Sequence, residues 1–292
     1  MFRNIYLLYF FHNAMSRIIK KSLPPALASD AIDAPPGNAK QDRHFVTALA
    51  RGLDLLACFR SGDKALGNQE LAERCQLPKS TVSRLTYTLT KTGHLDYVES
   101  LGKYRLGSAT LALGSAMLAR LDVRQLARPL MQELADFSQG MVSLGMRDRL
   151  SMIYVENCRS QTALTLSLDV GSRIPLASTA MGRAILAEMR TDERSQLLNQ
   201  IQQADQANWD SVAKEIRQSI SEYQKLGCCT SFGSWQKDVN AIAVAFYPGN
   251  GMPPVSINCG GPAFTLSSAF LLEQVRPRLL DLAQRLRISL GA

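Results

Sequence analysis

From Arg74 to Leu95 the chain has no aspartate and no glutamate, although Arg74, Lys79, Arg84 and Lys91 all fall inside that stretch. Histidine is scarce too. Only His12, His44 and His94 are present, so nothing after residue 94 can act as an imidazole base. Ser-His-Asp and Cys-His chemistry is thereby excluded from the C-terminal two-thirds. The six cysteines (Cys58, Cys75, Cys158, Cys228, Cys229 and Cys259) form no C-x-x-C pair and have no histidine-rich companion segment. That argues against a disulfide framework and against a zinc site. They read as small core residues of a protein kept in a reducing cytoplasm, with Cys228 and Cys229 as minor redox candidates.

Long apolar runs are missing as well. The N-terminal MFRNIYLLYFFHNAMSR holds seven consecutive apolar residues, Ile5 to Phe11, where a membrane span needs about 20. It also lacks the cleavage site of a signal peptide. Ser22 to Lys40, with four prolines, cannot pack a core and reads as disordered. Residues 1–43 are thus expected to be an arm. Translation is expected to start at Met15, residues 1–14 being an upstream extension, a point that intact mass decides. No membrane partner, metal or cofactor is expected. NCGGPAF is glycine-rich but lacks a P-loop or dinucleotide fingerprint, and Asp148, Glu156 and Asp169 read as solvated loop charges, so no enzyme is expected.

What is present is enough chain, 292 residues, for two domains, and a net charge of +8. Residues 44–107 carry nine Lys/Arg against six Asp/Glu, and residues 108–292 carry eighteen against sixteen. Within the first region the spacing of Phe45, Leu49, Gly52, Leu53, Leu56 and Phe59 predicts a helix with those residues inward. Asn68 is placed to cap a second helix, with Glu70 in its first turn and Leu71, Ala72 and Cys75 inward. Pro78 suits the first position of a third, which Gly93 closes. On that third helix Val82, Leu85, Thr86 and Leu89 share one side, and Ser80, Arg84, Tyr87 and Lys91 the other. Residues 95–98 and 103–106 alternate as two strands around the turn 99–102. Three helices and a hairpin make a winged helix-turn-helix over 44–107.

Residues 108–122 predict a linker helix, apolar on more than one face as a dimer interface requires. Residues 123–292 predict an α+β domain: a helix kinked or restarted at Pro129, strands at 141–146, 152–155 and 164–168, and helices at 179–189 and 211–226, the latter ending at Gly227. Strands at 241–247 and 255–259 follow across a Pro248–Gly251 turn, then a long helix, 266–288, bearing Pro277.

LAERCQLPKSTVSRLTYTLTKTGHLDY with KYRLG, then LARPLMQELAD, VGSRIPLASTAMGRAILAEM, NAIAVAF and NCGGPAF together resemble the IclR-type transcriptional regulators, from Phe45 nearly to the C-terminus. The resemblance implies a winged helix-turn-helix on a double-stranded DNA operator and a GAF-like antiparallel α+β domain for a small organic or aromatic acid. It also implies a dimer or dimer of dimers, and control of catabolic operons. It assigns DNA contact to Lys79, Ser80, Thr81, Ser83, Arg84 and Tyr87, with Lys103 and Arg105 in the wing, and Lys91 shares their outward face. It places the effector at Ser178, Thr179, Ala180, Met181 and Gly182, where a helix N-terminus seats a carboxylate, and at Ser231, Trp235, Asn240 and Ala241. Relatives often carry acids after the Gly227 position. This chain has Cys229, Thr230, Ser231 and Phe232, implying a neutral or more apolar pocket in which Trp235 stacks on an aromatic ligand. Arg183, where relatives often have lysine, reads as structural or interfacial. The alternative is a ligand-sensing module whose winged helix docks a protein partner. Salt dependence separates the two.

Overall fold

The computed structural model describes residues 44–60, 62–160, 168–249 and 251–291, which fall into two units dividing between Gly114 and Ser115. The expected N-terminal arm, most of the expected strand at 164–168, and Asn250 of the expected turn lie outside the described residues.

In the first unit α1 (Thr47–Ala57), α2 (Asn68–Cys75) and α3 (Lys79–Lys91) precede an antiparallel hairpin, β1 (Leu95–Val98) and β2 (Lys103–Leu106). Leu95 pairs with Leu106 and Val98 with Lys103, as the alternation requires, and Leu66 bridges Tyr104 on the other edge of β2. Leu55, Leu66, Leu71, Ala72, Val82 and Leu95 form the core. Three local expectations shift. The N-cap of α2 is Gly67, not Asn68, because the Glu70 carboxylate reaches back to accept the Gly67 N–H at 2.8 Å. Pro78 is the N-cap of α3 and not its first residue, its extended backbone (ψ 140°) setting up the helix from outside. The third concerns α1, which has more apolar positions than one face can bury. Gly52 and Leu55 go inward, while Phe45, Leu49 and Leu53 stay 49%, 61% and 57% exposed.

A further helix, α4 (Ser108–Leu118), crosses the boundary between the units. None of its residues is buried in the single chain, and Leu111, Leu113 and Met117 are exposed.

The second unit is built on one six-stranded antiparallel sheet. Its strands are β3 (Met141–Asp148), β4 (Ser151–Arg159), β5 (Arg173–Pro175), β6 (Cys229–Phe232), β7 (Val239–Phe246) and β8 (Val255–Pro262), in the order β5-β4-β3-β8-β7-β6. Two three-stranded meanders are therefore joined where β3 pairs with β8, Met141 opposite Gly260 and Met146 opposite Val255. The period-two alternation feeds both faces. Val142, Leu144, Val155, Val244, Phe246, Ile257 and Cys259 pack with α5 (Asp122–Ser138) and the C-terminal helix, while Met141, Tyr154, Ala243 and Ala245 pack with α6 (Ala180–Glu188), α7 (Thr191–Ala204) and α8 (Trp209–Leu226). Pro129 lies inside α5 and does not start a new helix. The long helix expected to contain Pro277 is divided instead: one turn at Ser268–Phe270, a π-helical turn at Leu271–Val275, then α9 (Arg276–Leu290) with Pro277 as its second residue. The wider turn ahead of Pro277 accommodates an imino acid that an uninterrupted helix resists. Among the described residues no helix is long and apolar enough to cross a membrane.

Candidate nucleic-acid interface and ligand pocket

On α3, Val82 and Thr86 are buried and Leu85 and Leu89 half-buried, so the inner side is as its period demands. Lys79, Ser80, Ser83, Arg84, Tyr87 and Lys91 are exposed and Thr81 is half-buried. Threonine hydroxyls in the second half of the helix are already used: Thr88 Oγ1 donates to Arg84 O at 3.0 Å, Thr90 Oγ1 to Thr86 O at 2.8 Å and Thr92 Oγ1 to Thr88 O at 3.2 Å. Hydroxyls available to a partner are thereby concentrated in the first turns. Ser83 Oγ accepts a long bond from Asn68 Nδ2 (3.3 Å), and Lys79 Nζ lies 3.4 Å from Gln69 Oε1. Lys91 Nζ sits 5.6 Å from the ring centre of Tyr87, a 65% exposed aromatic. Among the described residues neither Arg84 nor Lys91 makes an ion pair.

The wing differs from the helix in this respect. Lys103 pairs with Glu70 at 2.8 Å and Arg105 with Asp96 at 3.3 Å, and Glu99 opens the turn at its tip. Lys103, and then the Gly67 N–H, hold the Glu70 carboxyl below its ordinary value. Both pairs are exposed, and such pairs exchange readily for another anion.

In the second unit a small, partly open pocket is lined by residues from all six strands, the β6–β7 loop and the start of α6. Thr179, Ala180, Met181, Ser231, Trp235 and Ala241, expected from the sequence, do converge there. Ser178, Gly182 and Asn240 do not line it. Ser178 contributes only a carbonyl that accepts from Ser231 Oγ at 3.5 Å. Gly182 is small because α6 approaches the chain at Leu176, whose carbonyl oxygen lies 2.0 Å from where a Cβ would stand. Asn240 alternates to the other face of β7 and donates to Leu266 O at 2.9 Å.

Met141, Tyr154, Ile174, Val239, Asn258 and Gly260 complete the lining, and the sequence assigns none of them to the effector. At a register shift between Leu144 and Gly145, the missing Cβ of Gly145 makes room for the Met181 sulfur. Thr179 caps α6, accepting from Gly182 N (3.2 Å) and donating to Pro175 O (2.7 Å), and its carbonyl accepts from Arg183 N. This leaves the N–H groups of Ala180 and Met181 without partners inside the helix. At the sheet end, Ser143 faces Asn258 across β3 and β8, and both lie against the buried Tyr154 hydroxyl. Neither Ser143 Oγ nor Asn258 Oδ1 makes a well-formed hydrogen bond among the described residues. Burial pushes the Tyr154 phenol well above its ordinary range, so it remains a neutral donor.

No charged side chain lines this pocket among the described residues. Arg183, buried beside it, is held by Ala177 O (2.9 Å) and by Glu215, a structural role. Of the three carboxylates read as solvated, Glu156 is not. It is a buried residue of β4 that binds Arg124 and Arg128 of α5 at 2.8 and 2.5 Å. Asp148 pairs with Arg173 and Asp169 with Arg159.

Two family descriptions match the chain: "IclR helix-turn-helix domain" over residues 48–99 and "Bacterial transcriptional regulator IclR C-terminal" over residues 115–288. The HTH-type transcriptional regulator TsaQ1/TsaQ2 of Comamonas testosteroni is 32% identical over 250 residues, covering 85% of this chain and 90% of that protein. The crystal structure of an IclR family transcriptional regulator from Brucella abortus is 38% identical, with a TM-score of 0.76 over 91% of this chain and 98% of that one. An IclR homolog from Microbacterium hydrocarbonoxydans, crystallised with 4-hydroxybenzoate, shares the fold at 21% identity, with a TM-score of 0.66 over 84% of this chain and 99% of that one. The first two of these relatives bear the names of transcriptional regulators, and the helix-turn-helix and sheet described above account for the same two segments. The chain belongs to the IclR family of transcriptional regulators.

Proposed function

We propose that this regulator reads a DNA operator with the outward face of α3, and that a small organic acid, aromatic by preference, binds beside α6 and modulates that reading. The observation that carries it is the acid-free, exposed face running from Lys79 to Lys91, set against the buried Val82 and Thr86. A helix in the major groove reads base edges from its first turns and holds phosphates with cations and hydroxyls. Arg84 is assigned to a guanine edge. Lys79, Ser80, Thr81, Ser83, Tyr87 and Lys91 are assigned to the backbone or adjacent edges, and Lys103 and Arg105 to phosphates that displace Glu70 and Asp96. The exposed apolar row Phe45, Leu49 and Leu53, together with Leu111 and Leu113, favours a homodimer or dimer of dimers, and a DNA-reading role suits the cytoplasm.

For the effector, the N–H groups of Ala180 and Met181 suit a carboxylate, Trp235 an aromatic ring, and the Tyr154, Ser143 and Asn258 cluster a far-end hydroxyl. The 4-hydroxybenzoate held by the Microbacterium homolog has that arrangement of groups. A catabolic operon for organic or aromatic acids is the matching target.

Titrating the protein onto its own upstream duplex by fluorescence anisotropy tests the DNA reading and gives the number of chains bound. Affinity is expected to fall by about 10³-fold or more between 50 and 200 mM salt, as the release of several phosphate counterions requires. A flat salt response would instead favour docking of a protein partner. The pocket is tested separately by Met181→Trp, which puts a larger side chain at a position that lines it. Operator binding is expected to persist, while the melting-temperature rise given by benzoates and related acids disappears. A normal ligand response in that variant would relocate the effector site.

A further inference from the structure

We propose that Cys58 and Cys75 form a thiol pair that hydroperoxides convert to an intrachain disulfide inside the helix-turn-helix unit. Cys58 is the C-cap of α1 and Cys75 the last residue of α2, and their sulfurs stand 2.6 Å apart. A disulfide bond is about 2.05 Å long, so closing it takes a movement of only about half an ångström. Both residues are half-buried and within reach of a small oxidant, whereas Cys158, Cys228, Cys229 and Cys259 are all buried.

The surroundings give the two sulfurs different tasks. Arg74 Nη1 donates to the Cys58 carbonyl at 2.9 Å while pairing with Asp63 at 2.5 Å, which fixes a guanidinium beside Cys58. The hydrogen bond from Cys75 lowers the Cys58 thiol below its ordinary value; burial opposes this and the Arg74 charge assists it. The same bond, with burial, pushes Cys75 up. With the Arg74 guanidinium fixed beside it, Cys58 is assigned as the attacking thiolate and Cys75 as the resolving thiol. The Cys58 sulfur attacks one peroxide oxygen: an S–O bond forms, the O–O bond breaks, and the alcohol, or water from hydrogen peroxide, leaves with a proton. Cys75 then attacks the Cys58 sulfenic sulfur: an S–S bond forms, the S–O bond breaks, and water departs with the Cys75 proton. Two thiols have given up two electrons and two protons to one hydroperoxide. The bond staples the ends of α1 and α2 just ahead of the Gln76–Pro78 turn into α3, and a thiol reductant restores the free pair.

The test uses the full-length protein as wild type, Cys58→Ser and Cys75→Ser, exposed to a small excess of hydrogen peroxide. The wild type is expected to lose two hydrogens per chain, to yield a linked Cys58–Cys75 peptide pair that dithiothreitol separates, and to melt at a higher temperature with unchanged circular dichroism. Dimedone is expected to label Cys58 in Cys75→Ser and to leave Cys75 unlabelled in Cys58→Ser. The proposal is overturned if both thiols remain open to alkylation, if the linkage joins two chains, if oxidation unfolds the protein, or if the dimedone pattern is reversed. None of these readouts involves DNA, so they stand or fall apart from the operator reading.

Discussion

Arg84→Ala is expected to erase operator protection in a footprint while leaving far-ultraviolet circular dichroism unchanged. The side chain is exposed and makes no ion pair among the described residues, so its removal takes nothing from the packing of α3. A bidentate contact from arginine to guanine is worth about 1–3 kcal/mol, and a homodimer loses it at both half-sites, about 2–6 kcal/mol in all. Anisotropy should register that loss on the operator and a much smaller one on unrelated duplex. Lys91→Ala serves as the contrast. Loss of one phosphate contact in each half-site weakens binding to every sequence alike and makes the salt slope shallower by about two. An undiminished Arg84→Ala footprint would remove Arg84 from the interface.

The largest loss of stability is expected from Gly182→Ala. The added methyl would stand 2.0 Å from the Leu176 carbonyl oxygen and 2.5 Å from its Cα, and that backbone belongs to a fully buried residue. No rotamer relieves such a contact, so α6 must move off the segment it packs on. Overpacking usually costs about 1–3 kcal/mol and more when backbone has to shift, so a loss of about 3 kcal/mol or more is expected here. In a domain of this size that lowers the melting temperature by roughly 6–12 °C. Calorimetry checks it, and a melting temperature within a degree of wild type would show that α6 is free to slide.

The two units were not equally legible in the sequence. The hairpin and the two faces of α3 depend on short-range periodicity, and Leu95–Val98, Lys103–Leu106 and the Val82/Arg84 division stand where the spacing put them. Phe45, Leu49 and Leu53 were misplaced because a helix apolar on two sides does not announce which side its own domain will cover. The helix α7 escaped notice because TDERSQLLNQIQQA has few apolar residues, with only Leu197 and Ile201 buried, and β5 is three residues long. Half of the pocket was legible because Thr179, Ala180 and Met181 adjoin in the chain. Asn258 joins Tyr154 and Ser143 only through the β3–β8 pairing, which no local pattern encodes. The proximity of Cys58 and Cys75 was hidden for the same reason, since it depends on how α1 and α2 cross.

That β3–β8 pairing also bears on how the domain comes into being. As the chain is synthesised, β3, β4 and the α6 corner emerge well before β8, yet the partner edge of β3 is supplied only by Val255–Pro262. Until then β3 presents an open edge of unpaired N–H and C=O groups, and Asn258 and Gly260 are absent from the pocket wall. A closure so distant in sequence is slow to form, because the intervening loop must be ordered before its contacts repay the entropy. A chain that ends before β8 thus has every residue of its helix-turn-helix core, which lies wholly upstream, while its second sheet stays open and its pocket lacks a wall. The pocket wall is complete only once β8, the last strand of the sheet, is in place.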